Sequence, residues 1–136
     1  MFGPLNSKHL PAAQAALRIF AGAAFFSHGA QKLLGWFGGM GPDGGTVELM
    51  SKFGAAGVIE FTCGALLVLG LGTRLAAFIA SGEMAIAYFY GHWGLFTPAM
   101  NSFFPVQNGG ATAILYTFIF LYFAASGPGA WALNQK

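Results

Sequence analysis

Hydrophobic positions in this chain come as four long, nearly unbroken runs rather than as alternating or amphipathic stretches. The first covers residues 12–34, the second 53–71, the third 74–91 and the fourth 111–126. Each approaches the roughly 20 helical residues needed to cross a hydrocarbon core of about 30 Å. A lipid-facing barrel strand would alternate with a period of two, and these runs do not, so helices are expected. The pattern predicts an all-α fold: an integral membrane four-helix bundle forming one domain, 1–136.

The connections differ in kind. Only "GLGT" separates the second and third runs, which demands a tight antiparallel hairpin. The first loop, "GWFGGMGPDGGTVELMS", is too rich in Gly to continue a helix. It is not a phosphate cradle, because no strand precedes it and no Gly-Lys-Ser/Thr follows. The third loop holds Trp93, Phe96, Phe103 and Phe104, a density of aromatics suited to the headgroup region. Arg18 interrupts the apolar part of the first run, and the run continues past its small residues, so a retained span is expected rather than a cleaved signal. Four spans place both termini on one side, with Lys8, Arg74 and Lys136, against Lys32 and Lys52 on the other. That balance points to a multi-pass protein of the plasma (inner) membrane with cytoplasmic termini.

Composition sharpens this picture. The chain is 56% hydrophobic and 7% charged, where a soluble domain carries about a quarter charged residues. Its partner is therefore the lipid bilayer. A net charge of +2, spread along the chain, excludes a nucleic-acid surface. The single Cys63 sits in an apolar run and offers neither a disulfide nor a metal site.

Against this background the polar residues inside the runs stand out, because intramembrane charges are costly and face the interior. Arg18, Glu60 and Glu83 are three such charges. At 100° per residue, Phe25, His28 and Lys32 fall about 20°, 80° and 40° from Arg18, on one face of the first helix. Gln31 lies further round. Gly57, Cys63 and Gly64 flank Glu60 and would let a neighbouring helix approach. The expectation is a midplane ion pair of Arg18 with Glu60 and Glu83, and a second polar layer of His28, Lys32 and His92 nearer the outer surface. Two readings of the midplane layer stay open. It is either a structural lock or, with two carboxylates against one guanidinium, a proton-carrying group in which both acids do not ionise together. Lys32 either snorkels to the interface or joins this interior. A haem held between His28 and His92 has no other support. Trp36 and Trp93 read as interface anchors.

The same residues carry a family resemblance. The segments "R...G..F..HGAQKLLGWFGG" and "E..CGALLVLGLGTR", with "NGG" before the last run and "GPG" after it, resemble the DoxX family of small four-helix membrane proteins. The matching positions are Arg18, His28, Gly29, Gln31, Lys32, Glu60, Gly64, Gly70, Thr73 and Arg74. Met84, Ala87 and His92 fit a further pattern of that family. The chain departs from it at Ala111, where an acid commonly follows "NGG", and at Asn134 in the final "ALNQK". Glu83 is an addition, as though a carboxylate had moved from the fourth helix to the third.

The resemblance implies an association with terminal quinol oxidases or thiosulfate:quinone oxidoreduction, and so a quinone-linked oxidoreductase component or accessory subunit. In that reading His28, Gln31, Lys32, His92 and Trp93 contact a quinone headgroup, while Glu60 and Glu83 relay protons. No redox-active residue pair is evident, so electrons would come from a partner subunit or bound cofactor. A homo-oligomer would enlarge the small volume four helices enclose. The alternatives are a small-solute or proton carrier built on the same charges, and a membrane assembly or structural subunit without redox activity of its own.

Overall fold

The computed structural model describes residues 7–98 and 100–135. Among these the chain is all-helical and contains no strand. After a 3-10 turn at Ser7–His9 come α1 (Leu10–Leu34), α2 (Lys52–Leu69), α3 (Thr73–Ile86), the single turn α4 (Pro105–Asn108) and α5 (Ala111–Ser126). The four long helices fall within a few residues of the four apolar runs. Lys136, counted above with the inner cations, lies outside the described residues.

Two helices are long and apolar enough to cross a membrane among the described residues: Ser7–Leu34, of 28 residues, and Lys52–Leu69, of 18. The third apolar run is helical to its end but changes type, because α3 continues as a π-helix over Ala87–His92. The wider turn is closed by Trp93 N–H donating to the Tyr88 carbonyl at 2.8 Å. Such turns are rare and frequently accompany functional sites. Here it lets Tyr88 Oη donate to the Phe103 carbonyl, tying the third loop down.

The helices pack as two close antiparallel pairs, α1 on α2 and α3 on α5, joined through α2 and α3. Small residues create the first pair. A methyl group on Gly29 would lie 2.3 Å from Phe61 N, and one on Gly64 would lie 2.5 Å from Phe26 N. Backbone therefore meets backbone, and the seven-residue spacing of Gly22 with Gly29, and of Gly57 with Gly64, keeps this contact along two turns. The core between the pairs is aromatic, with Phe25 edge-on to Phe120 at 4.8 Å and Tyr116 stacked on Phe120 at 5.3 Å. Large apolar side chains such as Phe20, Leu75, Phe78, Leu115 and Phe118 point outward.

At one end of the helices the segment after α5 folds back. Ala130 N–H donates to the Pro11 carbonyl, Leu133 N–H to Leu69 and Asn134 N–H to Gly70. Gly70 is required there: its φ is +69°, and a methyl group would come 2.5 Å from Ala132 Cβ.

Candidate functional site

The antiparallel register of α1 and α2 decides which charges meet. Gly22 lies against Gly64 and Leu67, and Gly29 against Gly57 and Phe61. Arg18 is thus level with the last turn of α2, whereas Lys32 is level with its first half. Leu67 and Glu60 are seven residues apart, about 10 Å of helix.

The expected ion pair of Arg18 with Glu60 and Glu83 is consequently not formed. The Arg18 guanidinium is fully buried and donates to four carbonyls: Leu67 and Trp131, each at 2.9 Å, Ala130 at 3.0 Å, and Pro128. These carbonyls belong to the end of α2 and to the segment following α5, where helix dipoles place negative charge. A planar fork of five N–H groups suits such a multi-carbonyl site. Arg18 therefore holds the C-terminal segment to the helices.

Lys32 takes the place predicted for Arg18. It turns inward rather than snorkelling, and its Nζ donates to Glu60 Oε2 at 2.7 Å. The two side chains are only 14% and 4% exposed. Gly57 makes this possible, since a methyl group there would lie 3.2 Å from Lys32 Cβ. Glu83 of α3 lies within electrostatic range of both members of the pair. Its Oε2 is buried and has no hydrogen-bond partner among the described residues. Cys63 is buried beside this group, within range of Glu83.

His28 lies on the exposed rim of the cluster, within range of Glu60, with its ring edge-on to Tyr116 at a centroid distance of 6.4 Å. Tyr116 is half-buried and also within range of Glu60. It is a component sequence reasoning overlooked; the visible signal was a phenol inside the apolar "AILYTFIF". Gln31 is half-buried at the same end of α1.

His92 and Trp93 make their contacts at the third loop. The π-helix carries them into the third loop, where His92 Nδ1 faces the Asn108 carbonyl at 3.3 Å and Asn101 donates to the His92 carbonyl. Trp93 packs on Phe103 at 4.9 Å and on Phe89 at 5.9 Å.

The arrangement places an ammonium, two carboxylates and a phenol near one another inside an apolar helix assembly, with an imidazole at its exposed rim. An ion pair taken out of water is weak support for stability, because desolvation offsets much of the attraction. The buried Glu83 oxygen without a partner adds to that cost. What such a cluster can do is hold, give or accept a proton and donate hydrogen bonds to an oxygen-bearing ligand.

The family model described as DoxX matches residues 13–93, which include Arg18, His28, Lys32, Glu60 and Arg74. A protein of Haemophilus influenzae known as an uncharacterized protein is 46% identical over 133 residues, covering 95% of this chain and 93% of that one. An uncharacterized membrane protein of Mycobacterium tuberculosis is 27% identical, covering 93% of this chain and 82% of its own. No solved structure matches the chain.

Proposed function

Since the chain belongs to the DoxX family, we propose that it is a multi-pass plasma-membrane protein serving as a quinone-linked oxidoreductase component. In this reading α1, α2, α3 and α5 all cross the bilayer as a single four-helix unit, with both termini cytoplasmic. The 20 residues from Thr73 to His92, α-helical and then π-helical, supply the length of a third span. At 16 residues, α5 is short for a span and is accommodated by local thinning of the bilayer. The membrane character of the Mycobacterium relative and the outward apolar side chains support the same topology.

The observation that carries the functional reading is the Lys32–Glu60 pair beside the unpartnered Glu83 oxygen. Intramembrane ionisable groups mark functional pathways more often than structural ones. The donor set fits a quinone headgroup. Lys32 Nζ and Tyr116 Oη would donate to its oxygens, His28 would stand at the rim, and the unpartnered Glu83 Oε2 would accept from a hydroxyl of the reduced quinol. A bound quinone supplies two-electron, two-proton redox chemistry. The chain's own part is to orient the headgroup, exclude water with Phe25 and Phe120, and hold or move protons at Glu60 and Glu83. Electrons come from a partner protein or bound cofactor. His92 and Trp93 act in this proposal by shaping the third loop rather than by touching the headgroup.

The test is lipid extraction of the purified protein, followed by titration with a short-chain quinone while tryptophan fluorescence is read. Co-purified quinone and a saturable response that Glu60→Gln abolishes support the proposal. A protein without quinone and without response refutes it. Solute uptake lost in Glu60→Gln would instead favour the carrier.

A further inference from the structure

The helix ends opposite the Lys32 region enclose a second polar feature. A cleft of about 440 Å³ opens there between the start of α1, the start of α3 and the segment after α5. Its walls include Pro11, Gln14, Arg74, Ser126, Pro128 and Gln135. Among the described residues its lining contains a guanidinium, two carboxamides and a hydroxyl, and no acidic side chain.

The acceptors around this cleft are already occupied. Arg74 Nη1 donates to the Ala124 and Ala125 carbonyls, the last turn of α5. Gln14 Nε2 donates to Ser126 Oγ and to the Gly127 carbonyl, both at 2.9 Å. Beneath the floor, Arg18 donates to the Pro128 and Ala130 carbonyls. One guanidinium, that of Arg74, therefore faces the concavity, with the buried Arg18 charge beneath its floor, and no carboxylate of a described residue lines it. Arg74 is exposed, and its Nε and Nη2 carry no hydrogen bond to the helix end that Nη1 caps. Anions are the ligands such a site takes, and a planar fork is suited to a phosphate.

We propose that this cleft binds the phosphate of an anionic phospholipid headgroup in the cytoplasmic leaflet. The inference rests on the membrane topology proposed above, which brings the cleft to the level of the headgroups. It is independent of quinone. The ordered fold-back of residues 127–134 gives the site a wall, so the lipid would also be a structural ligand of the C-terminal segment.

The experiment uses the full chain in nanodiscs of phosphatidylcholine containing a minority of phosphatidylglycerol. Retained lipid is counted by native mass spectrometry after release into detergent. One basic residue near an anionic surface gives about fivefold enrichment of phosphatidylglycerol over its bulk share. Arg74→Gln should abolish the enrichment. Because Arg74 also caps α5, Gln135→Glu provides a second variant that introduces a negative charge on the exposed wall and leaves helix packing untouched. It should abolish enrichment with unchanged thermal stability in detergent. Equal retention of both lipids by the wild type overturns the proposal. So does a gain in thermal stability on adding inorganic phosphate that matches the gain from phosphatidylglycerol, since that identifies a free-anion site. Retention is read without quinone, so failure here leaves the Lys32–Glu60 proposal standing, and the converse also holds.

Discussion

The α1–α2 contact gives the most quantitative test of the fold that creates the site. Substituting Gly29→Ala would place a methyl group 2.3 Å from Phe61 N and 2.7 Å from Phe61 Cα. Ordinary contact begins at 3.4 Å, so the helices must part by about 1 Å at this level, and neither backbone can swing aside as a side chain would. Opening of that size forfeits a quarter to a half of the dispersion energy of the facing atoms. Overpacking of this kind costs about 1–3 kcal/mol. Alanine also favours any helix interior over glycine, by about 0.5–1 kcal/mol, which would mask part of the loss. Gly82→Ala in α3 removes that ambiguity, because a methyl group there meets nothing within 4 Å. Both variants carry the propensity gain, so their difference isolates the packing cost. Unfolding by a rising fraction of SDS in mixed micelles, followed by far-UV circular dichroism, should find Gly29→Ala less stable than Gly82→Ala by about 1–3 kcal/mol. Equal stability would show that α1 and α2 do not meet backbone to backbone, and the register that pairs Lys32 with Glu60 would fall with it.

Other expectations follow from the same contacts. Arg18→Met leaves buried carbonyls of the C-terminal segment without their donor, at about 1–3 kcal/mol for each group not rescued by water. Limited proteolysis should then cut between residues 127 and 135 in the variant and spare the wild type; equal protection would contradict the anchoring role. Cys63 is 5% exposed. It should resist a membrane-permeant maleimide in the native protein and react once SDS unfolds the chain, and rapid native labelling would contradict the packing of α2. The third loop is tied through Tyr88 Oη to the Phe103 carbonyl. Tyr88→Phe should therefore cost about 0.5–1.5 kcal/mol by removing the hydroxyl donor and leaving that carbonyl only Asn108 Nδ2 at 3.4 Å, read by the same SDS unfolding; an unchanged midpoint would contradict the tie.

Much of the fold was legible because membrane-length apolar runs and glycine-rich breaks are local signals. "GLGT" could only be a hairpin, and the helix limits follow from it and from the loops. The small residues flanking Glu60 likewise announced a close helix neighbour. The charge pairing was not legible, because it depends on register. Helical-wheel geometry correctly put Arg18 and Lys32 on one face but carries no information about which turn of α2 lies opposite. That offset is fixed by where Gly22 and Gly29 seat against α2, a long-range property. Arg18 also needed carbonyls contributed by Pro128, Ala130 and Trp131, more than a hundred residues away in the chain. The π-helix at Ala87–His92 had no proline or other local marker, so the change of helix type ahead of the third loop could not be read. Family-matching residues separate in the structure: Arg18, Gly70 and Arg74 secure the end of the fold where α1 begins and α5 finishes, while Lys32 and Glu60 pair in the polar interior.

In the proposed reading the buried Lys32–Glu60 pair is kept for chemistry and not for stability. The direct measurement replaces both partners with methionine and reads unfolding and quinone response on the same preparation. Apolar replacement of a whole buried ion pair is neutral or stabilising by about 1–4 kcal/mol, whereas removing one partner costs about 3–5 kcal/mol. Lys32→Met with Glu60→Met should fold at least as stably as the wild type and no longer respond to quinone. A double variant that keeps the full quinone response would contradict it.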